Sequence, residues 1–340
     1  MFFKKKYNPA GCLPDTRPQD QKDLDVKFNE IVAKANIVDW REKPESEWRK
    51  FPALDQDGAN ACVAFTAKKL LGVYYQQKYQ DWVDFSAAHI YQRRANKPLG
   101  GMAGYDVWRI LKEGTTLEQF APSKGNDYQL DSVQVEPVEE DVGKIFKIDS
   151  EIILPTKNID EVASVIQTTG KAVMVWFYFN EKEWARDIPY IQDYSLTPET
   201  AWGRHSVAAV DYTLWSGKKA LIIEDSAWFG GLNRRIILED FYQHRNFYAA
   251  YFMRFNFEVS MLRPQYVFKK DLSLGMTDKD VVALQDILKY EKLFPANVES
   301  TGYFGSITFE AVKKWQAKYG IPSTGYVGQI TRAKLNSLYG

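Results

Sequence analysis

The apolar positions of this chain change rhythm twice. From Cys62 they fall at Val63, Thr66/Ala67, Leu70, Leu71 and Tyr74, a spacing near that of an α-helix, which predicts a long, largely buried helix. DFSAAHIYQRRA (84–95) reads as a second helix with Ser86 as its N-cap. GGMAGYDVWRILKEG (100–114) reads as a glycine-rich loop feeding a third helix that stops at Gly114. The rhythm then shortens. KAVMVWFYF (171–179), HSVAAVDYTL (205–214), KALIIED (219–225), RRIIL (234–238) and FYAAYFMRF (247–255) are β-branched and aromatic runs separated by turns, and predict strands. Helices first and strands second argue for an α+β fold in which a helical lobe faces a β lobe.

After Phe257 the helical period returns. TDKDVVALQDIL (277–288) opens with a Thr-x-x-Asp capping signal and carries Val281, Leu284, Ile287 and Leu288 on one face. TGYFGSIT (301–308) is then repeated as TGYVGQIT (324–331), 23 residues on, and each glycine turn leads into a helix. The pattern predicts a compact three-helix module. At the other end, residues 1–36 are polar and proline-containing, with a short amphipathic stretch at Val26, Phe28, Ile31 and Val32. That segment is too short for a domain and is expected to wrap on the one that follows. The expected divisions are an extension at 1–36, the main α+β domain at 37–257, a linker at 258–270 and the small module at 271–340.

Composition narrows the classes. The 44 basic and 44 acidic residues balance, so no global field favours nucleic acid. No apolar run is long enough to span a bilayer, and MFFKKKYNPAGCLPD lacks the apolar core of a secretory signal. Synthesis in a reducing cytoplasm is expected, because Cys12 and Cys62 are the only cysteines. Metal chemistry finds no ligand spacing: His89, His205 and His244 are far apart, and no paired-cysteine motif occurs. No nucleotide-binding glycine motif follows a strand, and no cofactor is expected.

The candidate chemistry begins in DQDGANACVAF (55–65), where Gln56 precedes Cys62 by six positions at a helix start. A helix N-terminus favours a thiolate through its unpaired N–H groups and dipole. An upstream amide can complete an oxyanion hole. Downstream lie His205 in WGRHSVAAVDY and Asp225 in LIIEDSAWFGG, a base and a group to orient it. A lone free cysteine is most often a small buried hydrophobe; Gln56, His205 and Asp225 in order argue for a nucleophile instead. His89 is read as a structural or surface histidine.

VDWR, the DQ-x5-C-x-AF pattern, FSAAHIYQ, EGTTLEQFAPS, RHSVAAVDY and LIIEDSAWFGG stand in the order found in papain-like cysteine peptidases, which the first 257 residues resemble. The resemblance implies a two-lobed fold, a helical lobe plus a β-barrel-like lobe. It makes Cys62 the nucleophile, His205 the general acid/base, Gln56 the oxyanion-hole glutamine and Asp225 the group orienting His205, where the family usually has asparagine. Gly100 and Gly101 fall near the family's substrate-binding glycines, and Trp228, one place from the family's usual tryptophan, joins them as a candidate substrate-binding residue. The family's CGSCW reads ANACV here, so its disulfide partner and tryptophan are both lost. Residues 271–340 resemble the common peptidoglycan-binding domain through DVVALQDIL, GYFGSITFEAVKKWQAKYGI and TGYVGQITRAKL. Tyr303, Phe304 and Tyr326, beside the glycine turns, are its candidate ligand-stacking aromatics, while Trp315 is assigned to the core.

Together these imply a thiol endopeptidase with peptidoglycan, wall peptide or wall protein as substrate. Such an enzyme is made without a signal peptide and acts at the bacterial wall after release, or as part of a virion beside other virion components: a phage endolysin or virion-associated lysin. The alternative is a catalytically silent structural or adhesive virion protein that keeps both folds. An amidase of the CHAP type also places Cys before His, but leaves Gln56 and the DSAWFGG strand end unexplained.

Overall fold

The computed structural model describes residues 11–23, 25, 38–137, 146–155, 157–257, 264–295 and 300–340. The chain divides into two compact units, Met1–Asn256 and Phe257–Gly340. The amphipathic stretch expected at Val26–Val32 lies outside the described residues.

In the first unit, helix α1 (Cys62–Tyr79) is buried without interruption from Cys62 to Val73. Two lysines fall inside that run, and each is neutralised: Lys68 by Glu118 at 2.7 Å and Asp84 at 2.9 Å, Lys69 by Glu224 at 2.6 Å. Buried cations persist only when paired in this way. Helix α2 (Ala87–Tyr91) starts where Ser86 Oγ accepts from the His89 N–H at 2.9 Å. Helix α3 (Gly104–Glu113) stops at Gly114, whose φ of 109° an L side chain rarely adopts. These three helices form the helical lobe.

The β lobe is a six-stranded sheet in the order β3–β8–β4–β5–β6–β7. Its strands are β3 (Phe146–Ile153), β4 (Val173–Phe179), β5 (Gly203–Trp215), β6 (Lys218–Glu224), β7 (Arg234–Leu238) and β8 (Asn246–Phe257). β4 and β5 pair antiparallel with Phe177 opposite His205, and β6 lies antiparallel on the far side of β5. Helix α4 (Ile159–Thr169) covers the sheet, and Val162, Val165 and Ile166 join Val175, Phe177, Val207, Leu221 and Ile223 in one core. β3 and α4 are elements the strand and helix patterns above passed over. The FKIDSEII alternation of β3 and the Asn158 cap of α4, which accepts from the Asp160 and Glu161 N–H groups, were the available signals.

The second unit is a three-helix module of α7 (Lys279–Tyr290), α8 (Ser306–Lys318) and α9 (Gln329–Tyr339), numbered after α5 (Glu181–Trp184) and α6 (Glu239–Arg245) of the first unit. Its repeat has a physical basis in two buried glutamines. Gln285 Nε2 donates to the Tyr303 carbonyl and to Thr308 Oγ1, both at 2.9 Å, while Oε1 accepts from the Gly302 N–H at 3.1 Å. Gln316 makes the same three contacts with Tyr326, Thr331 and Gly325. Gly302 and Gly325 have φ values of 75° and 73°, so the recurrent glycine, threonine and glutamine form one hydrogen-bonded corner used twice.

Two expectations shift here. The cap of α7 is Asp278, which accepts from the Asp280 N–H, because Thr277 is occupied in a β-bridge with Tyr303. Tyr266 and Phe268, expected within a linker, pack on the module's core, and Phe268 exchanges two hydrogen bonds with Asn336. The module therefore starts earlier than residue 271.

Candidate active site

Cys62 is the first residue of α1, and no side chain caps the N-terminus that carries it. The turn before it is set by Asp57 and Gly58, both at positive φ (50° and 84°). Two side chains anchor the loop. Asn60 bonds Asp127 through its backbone N–H at 2.7 Å and its amide at 2.6 Å, and Gln56 reaches across to the end of β6. The Gln56 N–H donates to the Ser226 carbonyl, and Ser226 Oγ donates to Gln56 Oε1, both at 2.9 Å. Gln56 Nε2 donates to the Ala59 carbonyl at 2.7 Å. That leaves one amide hydrogen of Gln56 for a substrate oxyanion beside the N-terminus of α1.

His205 enters from β5, buried to 2% exposure. Its ring meets the Cys62 thiol, and on the opposite edge Nε2 lies 2.7 Å from Asp225 Oδ1. The ring nitrogen toward the thiol is therefore Nδ1. Burial by itself lowers the histidine's pKa; the Asp225 carboxylate and Cys62 outweigh that and raise it to about 10. Asp225 follows β6, where its own N–H is tied to the Asn233 carbonyl at 2.8 Å. Its carboxylate is saturated. Oδ1 also accepts from the Ala227 N–H at 2.8 Å, and Oδ2 accepts from Trp184 Nε1 at 3.1 Å and Arg235 Nη1 at 2.6 Å. Burial pushes such a carboxyl up, but His205 and Arg235 more than offset it and hold Asp225 below the usual carboxylate range.

The fold brings Cys62, His205, Asp225 and Gln56 together, and adds residues the sequence reading missed. Trp184, at the end of α5, stacks on Phe179 with centroids 4.7 Å apart and lies nearly perpendicular to the His205 ring, 6.0 Å away. Through Nε1 it covers the Asp225 side of the Asp225–His205 bond. Trp228 is 39% exposed and donates to the Leu54 carbonyl at 2.8 Å. Arg235 lies under the site on β7. A charged residue within RRIIL was the available signal, since fully buried arginines are rare without partners.

Gly100 and Gly101 lead into a short strand, β2 (Met102–Ala103), and Gly101 N–H donates to the Tyr91 hydroxyl. Paired with β2, in parallel, is β1 (Cys12–Leu13), and the Met102 N–H donates to the Gly11 carbonyl at 3.0 Å. The N-terminal segment thus runs across Cys62. A side chain on Gly11 would bring its first carbon within 2.8 Å of Cys62 Sγ, so only glycine fits there. Cys12 is wholly buried beside it, and burial, then the neighbouring Cys62, push its thiol pKa well up. Further along the strap Arg17 grips Asp15 and Asp25 and lies over the Tyr105 ring of α3.

His89 is buried, accepts from the Thr116 N–H through Nδ1 at 3.1 Å, and is held neutral: burial, then Arg93, lower its pKa to about 3. In the module, Tyr303 and Tyr326 are 52% and 45% exposed. Phe304, the third candidate, is fully buried in the module's core and cannot stack on a ligand; Trp315 is core as expected. Among the described residues no group of His, Cys, Asp and Glu could hold a metal ion.

Residues 277–335 match the family described as putative peptidoglycan binding domain. In structure the chain is similar to xylellain, a cysteine protease from Xylella fastidiosa, with a TM-score of 0.55 and 16% identity over 75% of this chain and all of that one. It is also similar to the digestive procathepsin L 3 of Tenebrio molitor larval midgut (TM-score 0.47, 12% identity, 64% of this chain and 75% of that one). A third likeness is to the cysteine protease and lectin-like domains of Cwp84 from Clostridium difficile (0.47, 15%, 65% and 54%). No curated protein matches the chain. The fold is papain-like, followed by a helical peptidoglycan-binding module.

Proposed function

We propose that the chain is a cysteine endopeptidase directed to the bacterial cell wall. The observation that carries this reading is the convergence of Cys62 at a helix N-terminus, His205 at its thiol and Asp225 behind the histidine, in a chain that also carries the wall-binding module. In the reaction His205 Nδ1 takes the thiol proton, and Cys62 Sγ attacks the peptide carbonyl. The Cys62 N–H and Gln56 Nε2 receive the oxyanion, and the imidazolium returns its proton to the leaving amine. Water, deprotonated by His205, then releases the acyl group and restores the thiol. Trp184 keeps solvent from the Asp225–His205 bond.

The module raises the local concentration of the peptidase at the wall even if each module–wall contact is weak. A phage lysin, either an endolysin or a virion-borne enzyme, is the setting that best joins the two parts. Substrate must displace the strap, because Gly11 lies on the nucleophile. The alternative, a silent virion protein, retains the fold without turnover. Purified wild-type protein and Cys62→Ala are compared on isolated cell walls, with loss of turbidity and new peptide amines as readouts. Wild type should release amines and Cys62→Ala should fall by roughly 10³-fold or more. Equal activity of the two would sink the enzymatic reading.

A further inference from the structure

We infer that Arg235 is a positioning residue that keeps the buried Cys62–His205–Asp225 site electrically neutral and thereby lets the thiol give its proton to the imidazole. The inference rests on the peptidase reading for its purpose, but its test does not need turnover. Arg235 is fully buried and spends its whole guanidinium on the site's scaffold. Nη1 donates to Asp225 Oδ2 at 2.6 Å and to the Leu232 carbonyl at 3.3 Å, Nε to the Trp184 carbonyl at 2.9 Å, and Nη2 to the Phe229 carbonyl at 2.7 Å. Its Cζ lies 4.7 Å from the Trp184 ring centre. One residue therefore fixes Asp225, the tryptophan that covers it and the loop that follows it.

The charge count gives the arrangement its meaning. An asparagine behind the histidine would be neutral, whereas Asp225 adds a full charge in a place without water. With Arg235 present, thiol plus neutral imidazole sums to zero. Thiolate plus imidazolium also sums to zero. The Sγ–H bond breaks and the Nδ1–H bond forms with no change in net charge. Without Arg235, the neutral combination is thiol, imidazolium and carboxylate, reached by taking one proton from solvent. The thiolate then leaves an uncompensated negative charge in a low-dielectric site, which is costly.

Among the described residues, Arg235 is the permanent cation bonded to Asp225. Cys62 comes from α1, Trp184 from α5 is neutral, and the strap contributes Cys12, whose thiol is held protonated. Glu224, next to Asp225, is already paired with Lys69 and Arg234. Arg204, beside His205 on β5, is a second cation near the site, and its charge falls on Cys12 of the strap and on Glu199.

The test follows the ultraviolet absorbance of the Cys62 thiolate against pH in the full-length protein, with Cys62→Ser as the baseline. In Arg235→Met the thiolate should appear roughly 1–3 pH units higher than in wild type. Arg235→Lys, which keeps the charge without the fork, should stay near wild type. Asp225→Asn/Arg235→Met, neutral again, should return toward wild type, and it keeps the idea testable if the single variant does not fold. A purely structural Arg235 would lower the folded fraction in every variant and leave the thiolate transition of the folded fraction unmoved; that result overturns the inference. A transition that moves as stated in a protein that cuts no wall would sustain this inference while removing the proposed function. A wild-type protein with no thiolate transition distinct from the Cys62→Ser baseline would remove both.

Discussion

Both units of the chain bury a hydrogen-bonding hub, and the two hubs are built on opposite terms. In the module, Gln285 and Gln316 are neutral amides that each satisfy a glycine turn and a threonine within 23 residues of sequence. In the papain-like unit, Asp225 is a charged hub whose four donors come from β5, α5, β7 and the loop after β6. A neutral hub needs only hydrogen bonds to be stable in the interior. A charged hub needs hydrogen bonds and a counter-charge, and here it draws them from four different elements of the fold. The first kind repeats readily and holds a corner. The second is tolerated where chemistry requires a proton to be held in place.

Breaking the charged hub should have the larger effect. Asp225→Asn leaves Arg235 buried against a neutral amide, and should cost about 3–5 kcal/mol in urea denaturation at neutral pH. The sign with pH follows from the depressed pKa of Asp225. Its stabilisation is complete above the ordinary aspartate value of about 4 and is lost as pH falls through its lower folded value. The gap between wild type and Asp225→Asn should therefore narrow in acid; a gap that widens would contradict the charge assignment. Breaking a neutral hub is milder. Gln285→Ala or Gln316→Ala each leaves a turn N–H and a carbonyl unsatisfied, for about 1–3 kcal/mol of the module's stability. The two substitutions should cost similar amounts, measured by thermal denaturation together with retention on cell walls. A large inequality would show that the repeated corners are not energetically equivalent.

The same contrast explains what could be read from the sequence. The module's corners were legible because each is assembled from a local, recurring set of residues. Cys62, Gln56, His205 and Asp225 were legible because their types and order carry chemistry. Trp184 and Arg235 were not, because an aromatic in a short helix and an arginine in a strand declare a role only once β5, β6 and β7 lie side by side. Phe304 illustrates the reverse error. Its position beside a glycine turn suggested a ligand, but the turn points Tyr303 outward and Phe304 into the core. Gly11 gave no signal, since its meaning depends on the parallel pairing of β1 with β2 over Cys62.

The central claim is that Cys62 is a nucleophile activated by His205. It is tested most directly by the rate at which an epoxide probe alkylates Cys62, with the site assigned by mass spectrometry. A leucine at position 11 cannot sit against Cys62 Sγ, so Gly11→Leu should lift the strap and label several-fold faster than the unaltered chain. Adding His205→Ala to that variant should slow labelling by roughly 10²-fold or more. Labelling of Cys62 that is equally fast with and without His205, or that goes to Cys12 instead, would contradict the account.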